Sequence, residues 1–80
     1  MKIKVLVSLK AGVLDPQAKA IFHALHSHGF SQIADVRLSK EIILELNSKD
    51  EAQAKELAKQ MCEELLANVV IEDYCFEILP

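Results

Sequence analysis

At the start of this chain, every second residue is apolar: Ile3, Val5, Val7 and Leu9. A period of two predicts a half-buried β-strand. Similar patterns predict a second strand over 33–38, a third over 41–46 and a fourth over 71–79. We expect Ser39 and Lys40 to form the tight turn between the second and third strands.

Helical spacing replaces this alternation after residue 15. Asp15 and Pro16 together predict a helix start, because the Asp15 carboxylate can accept from free backbone N–H groups and Pro16 has no N–H to satisfy. Gly29 supplies a left-handed cap, and Phe30 can fold back onto Leu25 in a Schellman ending. The apolar positions of this helix are Ala20, Ile21, Ala24 and Leu25.

A second helix is predicted between residues 48 and 68. Ser48 and Glu51 have the spacing of a capping box at its start, and Asn68 is a reasonable stop. Its apolar stripe comprises Ala54, Leu57, Ala58, Met61, Cys62, Leu65 and Leu66. The resulting order βαββαβ predicts an α+β fold of the ferredoxin-like kind, with two helices on one face of an antiparallel sheet. We expect residues 1–80 to form a single domain.

Net charge and composition limit the kinds of molecule that this chain is expected to bind. A net charge of −3 argues against nucleic acid, because phosphate contacts need clustered Lys and Arg. The sequence has no apolar run of membrane-spanning length, so we expect a cytoplasmic protein. Aliphatic residues can fill a core here and still leave apolar surface, and small domains often cover such surface by oligomerisation.

The face of the sheet that points away from the helices is predicted to be mixed. Charged residues of both signs surround an apolar centre at Leu6, Ile43 and Cys75. This composition suits an oligomer interface with a polar rim, and it equally suits a solvated face.

Catalytic and metal-binding chemistry has little support in the sequence. His23, His26 and His28 lack an acidic or thiol partner at ligand spacing, and exposed side chains near a helix C-terminus explain them better. Cys62 and Cys75 lack the paired spacing of a zinc or redox motif. The chain has only two glycines and therefore no glycine-rich phosphate loop. We expect no catalytic residue, no metal and no cofactor of its own.

Three stretches of the chain resemble the PurS family, the small accessory subunits of phosphoribosylformylglycinamidine synthase. The first runs from Lys10 to Gln17. The second combines Ala24, Leu25, Gly29 and Phe30 with the run from Asp35 to Lys40, and the third runs from Met61 to Tyr74. Ala18, Ser39 and Val69 stand where the family usually has Gly, Gly and Pro.

The resemblance implies a homo-oligomeric, non-catalytic subunit in de novo purine biosynthesis. That family's complex is an amide-nitrogen ligase. Its large subunit, PurL, uses ATP and Mg²⁺, and its glutaminase subunit, PurQ, releases ammonia from glutamine. The small subunit bridges the two and supports ammonia transfer. A stand-alone ACT-like module that binds a small metabolite shares the same fold and remains the alternative.

The resemblance also suggests which residues contact the partner subunits: Val13, Leu14, Asp15, Gln17, Arg37, Lys40, Asn68 and Glu72. Val13, Leu14 and Asp15 have a competing interpretation. Asp15 can serve as a helix cap alone, and Leu14 can fold back onto the core. For Tyr74, in the same stretch, a place in the core is the better prediction.

Overall fold

Strand β1 (Lys2–Leu9) is the central strand of the computed structural model, which describes residues 1–47 and 49–79. Helix α1 (Pro16–Ser27) follows it, then β2 (Ser39–Glu45), helix α2 (Glu51–Met61) and β3 (Glu72–Leu79). Both outer strands run antiparallel to β1 in the order β2-β1-β3. The predicted α+β fold with an antiparallel sheet is confirmed.

The core lies between β1 and α2. Ile3, Val5 and Val7 are fully buried, and the alternation that predicted β1 places all three on one face. Helix α2 covers them with small side chains, which let the helix approach the sheet closely. Its buried residues are Ala54, Ala58 and Cys62.

The last turn of α2 is a π-helical turn, Cys62–Leu66, which the sequence pattern did not predict. The Ala67 N–H donates to the Cys62 carbonyl at 3.0 Å, five residues back. The buried positions therefore follow one another as 54, 58, 62 and 67, with a final step of five. Because of this step Ala67 reaches the core, whereas Leu65 is 83% exposed.

Both helix starts are capped by aspartates. Asp15 caps α1 as predicted, and α1 ends in the predicted Schellman pattern, with Phe30 N–H bonded to the Leu25 carbonyl at 3.0 Å. Gly29 has the positive φ that this ending requires. Helix α2 begins at Glu51 with Asp50 as its cap, so Glu51 is the first helical residue and not the third, as a capping box requires. Ser48 lies outside the described residues.

The prediction of a strand over 33–38 is wrong, because the structure has no strand there. Ser39 and Lys40 lie inside β2 and make no turn, so the preceding residues run past the end of the sheet. A two-residue hairpin turn needs positive φ, and among the described residues only Gly12 and Gly29 have it. The chain therefore passes straight from residue 38 into the sheet.

Residues 16–38 form an arm that stands apart from the core. The predicted packing of α1 beside α2 is not found, because no residue of the arm belongs to the core cluster. The arm holds itself together: the His26 Nε2 lies 2.8 Å from the Ile33 carbonyl, and the His26 ring lies 4.3 Å from that of Phe22. The molecule is 50 Å long, and its radius of gyration of 16.2 Å exceeds the roughly 12 Å of a compact domain this size.

Candidate functional site

Three connecting segments meet at one end of the sheet. Leu9, at the end of β1, lies opposite Glu72 at the start of β3, and Ser8 lies opposite Ser39 at the start of β2. The loop after β1 and the segments before β2 and β3 must therefore cluster here. We call this surface the loop end, made of residues 10–17, 34–40 and 68–73. All eight predicted partner-contact residues belong to it.

The loop after β1 is tied to the loop before β3. The Lys10 N–H donates to the Ile71 carbonyl at 2.9 Å, and Lys10 Nζ lies 3.9 Å from an oxygen of Asp73. Val13 and Leu14 follow Lys10 in this loop, and the two Lys10 contacts hold the start of the loop in place. Leu14 is 68% exposed, so it does not fold back onto the core of its own chain. The loop end thus presents an unpartnered leucine.

Asp15 links this loop to α1. One oxygen of its carboxylate accepts from the backbone N–H groups of Gln17 at 3.0 Å and of Ala18 at 3.2 Å. The cap fixes the angle at which the loop enters the helix, and it leaves the Gln17 side chain at the surface. Capping of α1 is therefore a sufficient reason for an aspartate at position 15, with or without a contact between Asp15 and a partner.

The loop before β3 is rigid and apolar at its tip. Asn68 is the organising residue: its N–H donates to Glu72 Oε1 at 2.7 Å, and its side-chain oxygen accepts from the Val70 N–H at 3.2 Å. The Glu72 N–H donates back to the Asn68 carbonyl at 2.7 Å. These bonds hold Val69 and Val70 outward, and Val70 is 80% exposed.

Three of the predicted contact residues, Arg37, Lys40 and Glu72, are ion-paired. Lys40 Nζ lies 3.8 Å from Glu72 Oε2, and this pair joins the starts of β2 and β3 across β1. Arg37 Nε lies 3.6 Å from Asp35 Oδ2, with both side chains well exposed. Exposed pairs of this kind add at most about 1 kcal/mol, so Arg37 remains available to a partner.

A groove of about 780 Å³ runs between the arm and this end of the sheet. Leu6 and Cys75 contribute to its wall from the sheet, and Phe22 and Leu38 contribute from the arm. Three basic and three acidic side chains also line it: Lys10, Lys19, Arg37, Asp15, Asp35 and Asp73. The balance of charge gives the groove no strong preference for an ion of either sign.

The outer face of the sheet, opposite α2, carries the predicted oligomer-interface residues. Leu6, Ile43 and Cys75 are all exposed on it, and Ile43 is 49% exposed. Lys4 sits among them, with its Nζ 3.1 Å from Glu77 and 3.9 Å from Glu41. The hydrogen bond to Glu77 and the charges of both carboxylates raise the pKa of Lys4.

Two further side chains with reactive groups, Cys62 and Tyr74, pack in or against the core. Burial raises the pKa of the Cys62 thiol, and the neighbouring Glu63 adds to the effect, so the thiol stays protonated and unreactive. Tyr74 is half-buried against the core, as predicted, and its hydroxyl donates to Glu63 at 3.2 Å. Desolvation and this bond both raise the pKa of Tyr74.

Among residues 1–47 and 49–79, no group of three or more His, Cys, Asp or Glu side chains is placed to hold a metal ion. No helix in the same ranges is long and apolar enough to cross a membrane.

Leu65 and the π-helical turn are features of the site region that sequence reasoning missed. The signal was the pair Leu65 and Leu66, because adjacent residues on a helix point about 100° apart and cannot both face one core. The exposed Leu65 and Val70 add apolar surface beside the Asn68 loop.

Comparison with known proteins gives one consistent result. Residues 2–80 match the family described as PurS: phosphoribosylformylglycinamidine (FGAM) synthase. The phosphoribosylformylglycinamidine synthase subunit PurS of Bacillus subtilis is 51% identical over 77 residues, which cover 96% of this chain and 90% of that protein. The subunit of the same name from Methanocaldococcus jannaschii is 40% identical over 73 residues, covering 91% and 88% of the two chains.

Solved structures extend the similarity to the fold. The structure of B. subtilis PurS superposes with a TM-score of 0.87 at 49% identity and covers 99% of this chain and 98% of that one. A chain in the structure of PurLQS from Thermotoga maritima gives 0.86 at 33% identity, covering 98% and 95%. Because the arm is a large share of the chain, agreement of this quality includes the arm. These matches do not favour the ACT-like alternative.

Proposed function

This chain belongs to the PurS family, and we propose that it works as the small, non-catalytic subunit of phosphoribosylformylglycinamidine synthase in de novo purine biosynthesis. The observation that carries the proposal is the family match over residues 2–80, together with a loop end that gathers all eight expected contact residues on one surface. In this function residues 1–80 act as one PurS-like domain in the cytoplasm.

The partners are a large synthetase subunit, PurL, and a glutaminase subunit, PurQ. The T. maritima PurLQS structure, which contains a chain similar to this one, supports this choice. Ammonia released by the glutaminase must reach the synthetase site before it is lost. A bridging subunit keeps the two sites close and in fixed geometry without contributing a reactive group. ATP and Mg²⁺ are used by the large subunit, and this chain needs no cofactor.

The loop end is the surface that meets these partners. Its exposed Leu14 and Val70 supply the apolar centre that interfaces need, and Arg37 and Lys40 supply charged groups around it. Hydrogen bonds within the Asn68 loop and at the Asp15 cap order the backbone next to Leu14 and around Val70 before binding. Pre-ordering of this kind lowers the entropic cost of association. The residues assigned to the contact are Val13, Leu14, Asp15, Gln17, Arg37, Lys40, Asn68 and Glu72.

Self-association uses a different surface. The outer face of the sheet offers Leu6, Ile43 and Cys75 within a frame of paired charges, which suits a second set of identical strands. The chain therefore works as a homo-oligomer, and the loop ends stay free for the larger subunits.

The decisive experiment measures amidine formation by the two larger subunits with and without this chain, using either glutamine or ammonia as the nitrogen source. We expect the glutamine reaction to require the chain and the ammonia reaction to persist without it. A glutamine reaction that proceeds equally well without the chain would overturn the proposal.

A matched pair of variants locates the contact. Leu14→Asp places a charge in the apolar centre of the loop end and should weaken binding of the larger subunits about tenfold or more. Leu57→Asp makes the same change at an exposed position on α2, away from the loop end, and should bind normally. Equal effects of the two variants would exclude the loop end as the contact surface.

A further inference from the structure

Glu72 differs in its exposure from the other ion-paired carboxylates of the loop end. Its side chain is only 15% exposed, whereas those of Asp35 and Asp73 are 73% and 69% exposed. A carboxylate covered to this extent needs partners inside the molecule, because a charge withdrawn from water is unfavourable when it is unpaired. It also has little surface to offer to another protein. Both properties indicate a function within the loop end itself.

Both oxygens of the Glu72 carboxylate have a partner. Oε1 accepts from the Asn68 N–H at 2.7 Å, the short distance of a charge-assisted hydrogen bond, and Oε2 lies 3.8 Å from Lys40 Nζ. A second bond of 2.7 Å runs from the Glu72 N–H to the Asn68 carbonyl. The side chain and main chain of Glu72 therefore close a ring over residues 68–72, and the ion pair joins this ring to β2.

The ring carries an apolar tip. Val69 and Val70 are 45% and 80% exposed, and the Val70 N–H donates to the Asn68 side-chain oxygen at 3.2 Å. Because the ring spans only five residues, a displacement of Asn68 also displaces Val70. The position of the tip thus depends on Asn68, and the position of Asn68 depends on Glu72.

We propose that Glu72 is a positioning residue for the contact between the loop end and the larger subunits. Its carboxylate holds Asn68, Asn68 holds Val70 outward, and Val70 makes the contact. Among the residues assigned to the contact, Glu72 then acts through these neighbours and not through its own charge. The inference rests on the proposed function, because it concerns the same surface and the same partners.

Glutamine and alanine at position 72 separate the two bonds of the carboxylate. The bond to Asn68 needs an acceptor oxygen, which glutamine keeps and alanine lacks. The ion pair with Lys40 needs the charge, which both substitutions remove. The Lys40 side chain is 66% exposed, so its ammonium can turn to water, and loss of such a pair has little effect. Glu72→Gln should therefore behave like the unmodified chain, and Glu72→Ala should not.

The first test titrates the chain into fixed amounts of the two larger subunits and follows glutamine-dependent amidine formation. Glu72→Ala should raise the half-saturating concentration of the chain about fivefold or more. Glu72→Gln should stay within about twofold of the unmodified chain. Glu56→Ala, which removes a carboxylate from an exposed position on α2, is the control. Equal losses in Glu72→Gln and Glu72→Ala would show that the charge itself makes the contact, which would overturn the proposal.

A double-mutant cycle with Val70 distinguishes positioning from direct contact. Val70→Ala alone should raise the half-saturating concentration about fivefold, because it removes the apolar tip. Glu72→Ala added to Val70→Ala should then raise it by less than about a further twofold, since no tip remains to be placed. Effects that multiply in full would mean that the two residues act independently, and the proposal would be wrong.

Amide hydrogen exchange tests the loop in the chain alone. The Asn68 N–H should exchange about tenfold faster or more in Glu72→Ala than in the unmodified chain or Glu72→Gln. The amides of β1 should keep their rates, which shows that the fold is retained. Unchanged exchange at Asn68 would refute the positioning. A glutamine reaction that proceeds without the chain would refute the proposed function and leave the exchange result standing, so the two failures are distinguishable.

Discussion

Asp15 has an observed function at the loop end, capping of α1, and a proposed one, contact with a partner subunit. Its carboxylate caps α1 through two short hydrogen bonds, and it lies beside the exposed Leu14. A cap needs only an acceptor oxygen, whereas recognition by a basic group on a partner needs the negative charge. Substitution at this one position therefore distinguishes the two duties.

We expect Asp15→Ala to lower the free energy of unfolding by about 0.5–2 kcal/mol, because the N–H groups of Gln17 and Ala18 lose their acceptor. Asp15→Asn keeps the acceptor and should keep the stability. Urea denaturation followed by circular dichroism measures both. If Asp15→Asn is stable but binds the larger subunits poorly, the charge contributes to recognition. A loss of stability in Asp15→Asn equal to that in Asp15→Ala would contradict the capping account.

At the scale of elements, α2 depends on small residues. Ala54 and Ala58 are fully buried against β1, and no larger side chain fits between helix and sheet without moving them apart. The close approach explains how a domain with few aromatic residues fills its core with aliphatic side chains from the strands.

Ala58→Leu should lower the free energy of unfolding by about 1–3 kcal/mol, because the added atoms have no space under the helix. Ala52→Leu makes the same change at an exposed position in the same helix and should alter stability by less than about 0.5 kcal/mol. Thermal or urea unfolding of the two variants gives the comparison. A small effect at Ala58 would show that α2 sits less tightly on the sheet than the structure describes.

Sequence signals predicted most helices and strands, because these elements are specified by residues that are close together in the chain. The alternation in β1, the Asp15 cap and the Gly29 ending each depend on neighbouring residues, and all three are present. The hairpin at Ser39 failed because nothing nearby decides between a turn and a straight strand: neither residue is a strong turn former.

The contact residues of the candidate site stay a prediction, and the sequence did not predict that they would lie together. The eight contact positions came from a resemblance, whereas their convergence at one end of the sheet follows from strand register. The exposure of Val70 was not predictable at all. It depends on hydrogen bonds made by Asn68 and on the step of five in the last turn of α2.

For the whole molecule, we propose partner binding at the loop end and self-association at the outer face of the sheet. Leu6, on the central strand, lies on the outer face and also contributes to the wall of the groove beside the loop end. Its neighbours across the strands are Glu41 and Cys75.

Leu6→Lys should weaken self-association, because the new charge opposes burial of the outer face and can pair with Glu41 within the chain. Leu6→Ile keeps the face apolar and should assemble like the unmodified protein. Sedimentation velocity over a range of concentrations separates the species. The same distribution for Leu6→Lys and the unmodified chain would exclude the outer face as an oligomer interface.

A core that closes within one chain also bears on how quickly an oligomer can form. The core between β1 and α2 belongs to a single chain, so it can close at a rate that is independent of concentration. The self-association proposed for the outer face of the sheet requires two chains to meet. We therefore expect renaturation to show a fast step that is independent of concentration and a slow step whose half-time lengthens with each dilution.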